Sequence, residues 1–365
     1  MKSDMEKYCG CGVSRRFFLR TLGKASAAAA AIPAIAAYGQ HSPRTDATFL
    51  QARNEGFGNR GMGEMMQLSP DTANSAKKQM NPILHKYELR TDAAKSLLCV
   101  GLDPVLSQIP ERFRAAKFPL FEFNKWIIEQ TAKYTSAYKP NMAFYEARGV
   151  QGLIELESTV QYLRASYPEI VTICDAKRGD VSNTNKAYVV AIFDSLNFDA
   201  VTLHPYLGKE ALEPFLARRD KLCIVLCRTS NAGAGEFQDL ESSGKPLWQT
   251  VADRVANNWD TDGNCMLVVG APYLEDMRKI RSIAPHTTFL VPGIGALGDV
   301  PAVVSAGLSV NGRGLILTCS NEIIFSADPA AAARCFRDAI NKARYTINAT
   351  RGKLRHGSSA NPYAD

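Results

Sequence analysis

From Ser96 to Cys319 the chain repeats one unit, a short β-rich apolar run followed by a longer amphipathic helical pattern. The apolar runs fall at 97–102, 137–140, 171–174, 200–203, 222–227, 266–270, 288–291 and 314–319. Each is nearly continuous in hydrophobicity, as a parallel strand covered on both faces must be. Helical patterns occupy 123–134, 152–166, 185–196, 246–259 and 274–283, and a last one at 329–345 closes the set. Parallel strands need crossovers, so the alternation admits two folds: a closed (β/α)8 TIM barrel or an open doubly wound sheet. Eight units in about 265 residues is the size of the barrel. Polar residues also follow most strands: Asp103, Lys139, Asp175 with Lys177, His204, Thr229 with Ser230, and Pro292 with Gly293. In such a barrel those positions converge on one mouth, and catalytic groups gather there.

What lies outside 82–346 has a different composition. Residues 14–20 read SRRFFLR, and an alanine-rich run over 25–37 follows, with Ala34-Ile35-Ala36 as a small-residue site. An arginine pair ahead of a weakly hydrophobic stretch resembles a twin-arginine export signal. We therefore expect a leader over 1–37 and a glycine- and methionine-containing flexible linker over 38–81. Beyond the barrel domain (82–346) we expect a flexible tail over 347–365. The formal charge of +7 does not indicate a nucleic-acid surface. Six basic residues against two acidic ones put +4 of it in the leader, which leaves +3 for the remainder. Hydrophobic residues at 46% and charged residues at 22% exclude a disordered chain and a multispan membrane protein. The seven cysteines after the leader show no CxxC pairing, so buried thiols are expected rather than a disulfide framework or a zinc site.

The sharpest motif is Asp175-Ala176-Lys177-Arg178-Gly179-Asp180, at the end of the third apolar run. Around it stand CVGLDP (99–104), KPNMAFYE (139–146), HPYLG (204–208), CRTSNAGA (227–234) and PGIGA (292–296). Together, in this order, they resemble the orotidine 5′-phosphate decarboxylase family, in its bacterial form with DAKRGD. The likeness spans essentially the whole barrel. It implies decarboxylation of orotidine 5′-phosphate to uridine 5′-phosphate in pyrimidine biosynthesis, without metal or cofactor, by a homodimer with shared active sites. By the same resemblance the catalytic residues are Lys139, Asp175, Lys177 and Asp180. Asp103, Thr184, Ser230, Pro292, Gly293 and Gly295 would contact the substrate, with Asp180 and Thr184 reaching the partner subunit's site. The residue types suit that chemistry. Without a cofactor to delocalise the electron pair, the protein must supply a prearranged field and a nearby proton, which a lysine among carboxylates provides.

Two positions depart from the family pattern: Leu297 stands where glutamine is usual, and Asn321-Glu322 where arginine-glycine is usual. Those side chains are the family's grip on the phosphate. Backbone amides near Gly293, Gly295 and Gly298, or the side chains of Arg313 or Arg228, are the candidates to replace them. The departures keep two alternatives open. One is a diverged lyase of the superfamily acting on another, possibly unphosphorylated, substrate; the other is a non-catalytic nucleotide-binding homologue. The related hexulose-phosphate synthases share D-x-K-x-x-D and work with magnesium, but Lys139 and the 229–231 segment favour the decarboxylase. On localisation the leader points to export to the periplasm and the family function to the cytoplasm.

Overall fold

The structure, a computed structural model, describes residues 80–357. The leader, nearly all of the linker, and residues 358–365 lie outside the described residues. Eight strands form a closed, all-parallel barrel: β1 Leu98–Leu102, β2 Ala137–Pro140, β3 Val171–Arg178, β4 Ala200–Leu203, β5 Leu222–Arg228, β6 Cys265–Val269, β7 Phe289–Pro292 and β8 Leu315–Cys319. Each pairs with its neighbours in sequence, and β1 closes on β8 through Leu98 opposite Leu317 and Val100 opposite Cys319. That last pairing rules out the open sheet.

Side-chain alternation explains why near-continuous hydrophobicity was needed. One set of strand residues fills the lumen and includes Cys99, Ala137, Val171, Ala200, Ile224, Met266, Leu290 and Ile316, one from each strand. The intervening residues, among them Leu98, Val100, Tyr138, Cys174, Val201 and Val225, pack outward against the helices. Both faces are therefore buried; small polar residues such as Thr172 and Thr318 are tolerated within the strands, and the charged Lys139 and Arg228 lie toward strand C-terminal ends.

The helical patterns are found where expected, with shifted ends. The first runs from Pro119 through Tyr134 and includes a final tight turn, and the second fills Gly149–Ser166. The helix after β8 runs Pro329–Gly357 rather than stopping at 345. Arg351 donates to the Ser309 and Leu308 carbonyls and ties that extension to the barrel, so the expected tail begins as helix.

A helix that the periodicity did not signal, α1 (Pro82–Ala94), lies at the opposite end from the mouth. Asn81 caps it by accepting from the Ile83 and Leu84 amides, and donates to the Arg219 and Lys221 carbonyls that precede β5. Tyr87 plugs the lumen floor, with its hydroxyl donating to the Leu315 carbonyl at 2.8 Å. Six of the seven cysteines after the leader are buried free thiols. Among the described residues no helix is long and apolar enough to cross a membrane.

Candidate active site

The mouth is organised by an irregularity in β3. Cys174 is level with Val201 and Arg178 with Leu203, so β3 advances four residues while β4 advances two. The surplus is the Asp175-Ala176-Lys177 segment, which bulges from the ladder. Lys177 takes φ +46°, a left-handed conformation unfavourable for a side-chain-bearing residue. Its amide bonds instead to Thr202 Oγ1 at 2.9 Å, and the same hydroxyl donates to Asp175 Oδ1 at 3.0 Å. One threonine thus holds the bulge and the carboxylate that the bulge presents.

Asp175 joins two lysines. Its Oδ2 lies 2.8 Å from Lys139 Nζ, at the end of β2, and its Oδ1 lies 2.6 Å from Lys177 Nζ. Lys139 and Asp175 are buried, whereas Lys177 keeps 44% of its side chain in contact with solvent. Burial alone would raise the Asp175 pKa, but Lys139 and Lys177 outweigh it and hold the carboxyl far below the usual carboxylate range. Burial would likewise lower the Lys139 pKa, and Asp175 with Asp103 overcomes that and pushes it well up. At neutral pH Asp175 is therefore an anion and Lys139 a cation, with Lys177 Nζ against the other carboxylate oxygen.

The remaining expected residues divide between those that join this row and those that do not. Asp103, beyond β1, is half-buried near Lys139, and its Oδ1 is a buried acceptor with no hydrogen-bond partner. Asp180 does not reach the row within one chain. Its Oδ1 accepts from the Val181 amide, and Asn185 bonds the Asp180 backbone at both its amide and its carbonyl. Thr184 sits half-buried on the following helix, Ser182–Val189. Ser230 follows β5, and its backbone passes so close to Gly270 that a Cβ there would come within 2.9 Å of it. Pro292, Gly293 and Gly295 line the turn after β7; both glycines have φ +89°. Leu297 lies exposed against Gly293, and Asn321 is exposed at the start of the turn after β8.

Several expected substitutes for a phosphate grip are placed elsewhere or already engaged. Arg313 precedes β8, so it is at the floor of the barrel, bound to Asp92 of α1 at 2.7 Å. Arg228 is at the mouth but buried, within 2.8 Å of Asp239 and 2.9 Å of Asp276. The Gly295 amide donates to the Gly298 carbonyl. Sequence reading overlooked Thr202 and Asn185. Thr202 reads as an ordinary β-branched strand residue, and only the bulge gives its hydroxyl a task. His204, assigned no role from sequence, donates its amide to the Arg178 carbonyl and packs over Gly179.

Comparison with known proteins agrees with this geometry. Residues 96–336 match the orotidine 5′-phosphate decarboxylase / HUMPS family. The chain is 46% identical over 235 residues to orotidine 5′-phosphate decarboxylase of Christiangramia forsetii, covering 64% of this chain and 86% of that protein. It is 42% identical over 259 residues to that of Cellvibrio japonicus, covering 70% and 94%. Among solved structures, OMP decarboxylase of Leishmania donovani superposes with a TM-score of 0.65 at 38% identity, over 72% of this chain and 98% of that one. With its closed barrel and this extent of likeness, the chain belongs to the orotidine 5′-phosphate decarboxylase family.

Proposed function

We propose that this protein decarboxylates orotidine 5′-phosphate to uridine 5′-phosphate, with Lys177 as the proton donor. The observation that carries the reading is the Lys139–Asp175–Lys177 row at the ends of β2 and β3. In the proposed reaction the bond from the ring carbon to the carboxylate breaks, carbon dioxide leaves, and the electron pair stays on the ring carbon. The Lys177 ammonium stabilises that charge and then donates a proton to the same carbon. Its solvent contact supplies the proton that restores it. Lys139 keeps Asp175 ionised and in place, so the field exists before the substrate arrives. Asp103 Oδ1, a buried acceptor in need of a donor, suits a ribose hydroxyl. Ser230 is assigned to the pyrimidine edge, and Pro292, Gly293 and Gly295 to the far side of the ligand. Asp180 and Thr184 are assigned to the active site of a second subunit, consistent with Asp180 standing apart from Lys177 within one chain.

Lys177→Ala is expected to abolish release of carbon dioxide while binding uridine 5′-phosphate within a few-fold of wild type. Calorimetry beside an absorbance assay checks both. Turnover retained by the variant would sink the mechanism.

A further inference from the structure

The KPNMAFYE segment does more than carry Lys139. Its second half is the short helix Met142–Glu146, and Tyr145 from that helix is fully buried. A buried phenol must find some acceptor, and what matters here is which one it finds. The Tyr145 hydroxyl donates to the Leu102 carbonyl at 3.0 Å. Leu102 is the last residue of β1, so the peptide unit that accepts this bond is the one leading into Asp103. The same hydroxyl accepts from Asn124 Nδ2 at 2.8 Å, and Asn124 also donates to Thr159 Oγ1 at 3.2 Å. Asn124 comes from the helix Pro119–Thr131 and Thr159 from Gly149–Ser166, and both are buried. Gly152 lets the second helix approach, since a Cβ there would meet the Tyr145 carbonyl at 2.0 Å. Two helices thus aim the phenol, and it delivers its one proton to the end of β1.

Asp103 depends on that bond because its side chain does little to hold it. Asp103 Oδ1 is buried with no hydrogen-bond partner among the described residues. The carboxylate therefore takes its place from the backbone that carries it. Pro104 follows, with no amide to donate and a ring that favours extended conformations for Asp103. Oδ2 lies back over Gly101, where a Cβ would come within 3.1 Å of it, and Gly101 is level with Lys139 in the β1–β2 ladder. One segment after β1 thus supplies both the Lys139 cation beside Asp103 and the bond that sets the height of the Asp103 peptide.

We propose that Tyr145 is a positioning residue for substrate recognition: through the Leu102 carbonyl it holds the Asp103 carboxylate where it takes a ribose hydroxyl. The phenol, being fully buried, touches no ligand atom itself. The proposal rests on the decarboxylase reading, which assigns Asp103 to the ribose. Hydrogen bonds weaken steeply with distance and angle, so a small shift of the Asp103 peptide forfeits the hydroxyl and leaves the ligand's other contacts intact.

The test is calorimetric binding of uridine 5′-phosphate and of its 2′-deoxy and 3′-deoxy forms to the full chain. In the wild type, loss of the hydroxyl that Asp103 takes is expected to weaken binding by about ten- to a hundredfold, the range of a charge-assisted hydrogen bond. Tyr145→Phe is expected to shrink that ratio to within about threefold by weakening the complex with uridine 5′-phosphate, while the deoxy form binds as to wild type. Thr159→Val removes a neighbouring bond of the same buried cluster and leaves the Tyr145–Leu102 bond in place. It should lower Tm by a similar amount and keep the wild-type ratio. A Tyr145→Phe protein that keeps the ratio overturns the proposal, and so does a Thr159→Val protein that loses it equally, because the ratio then follows packing alone. If Tyr145→Phe does not fold, Asn124→Leu takes its place: it removes the bond that aims the phenol, and an unchanged ratio there overturns the proposal as well. Asp103→Ala separates the two readings. A ratio lost in Asp103→Ala but kept in Tyr145→Phe removes the role of Tyr145 and leaves Asp103 on the ribose. A ratio kept in Asp103→Ala removes both, and turnover of orotidine 5′-phosphate by the wild type decides the decarboxylase reading independently.

Discussion

Lys177 pairs a costly backbone with an indispensable side chain, and the two can be separated by substitution. A left-handed conformation costs a residue with a Cβ about 1–2 kcal/mol. Lys177→Gly and Lys177→Ala are both expected to be inactive. The glycine variant should nevertheless be the more stable by about 1 kcal/mol in urea denaturation, because glycine alone tolerates φ +46° without strain. Equal stabilities would mean that the backbone relaxes when the ammonium is lost. Asp175 makes a prediction in pH. Its folded pKa is depressed, so the unfolded chain binds its proton first as pH falls. The stability it contributes is present above about pH 4 and is lost as pH falls below that value toward the folded pKa. Lys139 has the opposite sign: its raised pKa contributes stability below about pH 10.5 that is lost only above it. Asp175→Asn should therefore flatten the acid limb of the stability–pH curve, measured by thermal unfolding between about pH 2 and 5. An unchanged limb would mean that other carboxylates govern acid unfolding.

The bulge in β3 is the element that converts a strand into a site. A regular strand would continue pairing with β4 past Cys174, and the DAKR segment would be spent on the ladder. Thr202 is the one side chain seen to bond both the displaced Lys177 amide and Asp175. Thr202→Val keeps the shape and removes both bonds. We expect it to cost about 1–3 kcal/mol in stability and to lower kcat more than it raises KM, because the field rather than the ligand grip is disturbed. A pure KM effect would place Thr202 among binding residues instead. A second element-level contact is that of Gly270 at the end of β6 with the Ser230 backbone. A Cβ there forces the loop after β5 outward, so Gly270→Ala is expected to raise KM while costing about 1–3 kcal/mol by overpacking. Neither the bulge nor this approach is visible in hydrophobic periodicity. One needs the register between two strands and the other the distance between two loops.

For the whole molecule, the question raised by Asp180 is whether one chain holds a complete site. If Asp180 and Thr184 serve the partner's site, mixing inactive Asp180→Asn and Lys177→Ala proteins should restore about a quarter of wild-type activity, from the one intact site in each mixed dimer. No recovery after demonstrated subunit exchange would confine the site to a single chain. The floor of the barrel has a separate role. Asn81 and Tyr87 tie α1 across the lumen, and Asn81→Ala, which removes a cap and two bonds to the strand β5 approach, should cost about 2 kcal/mol in stability and leave kcat unchanged. Helix α1 escaped the sequence reading because it meets the barrel along one narrow side, and its fit depends on carbonyls from distant segments. The sequence by itself narrowed the fold to a closed barrel or an open doubly wound sheet and set polar residues at the strand ends, because apolar runs buried on both faces must be parallel strands under helices; the pairing of β1 with β8 decided for the barrel and so for one convergent mouth. The sequence also determined the residue types of the Lys139–Asp175–Lys177 row. Only the tertiary structure decided that Asp180 stands apart, that Arg313 lies at the floor and that Arg228 is already paired. Which charge meets which depends on distances between segments far apart in the chain, and spacing along the sequence does not record them.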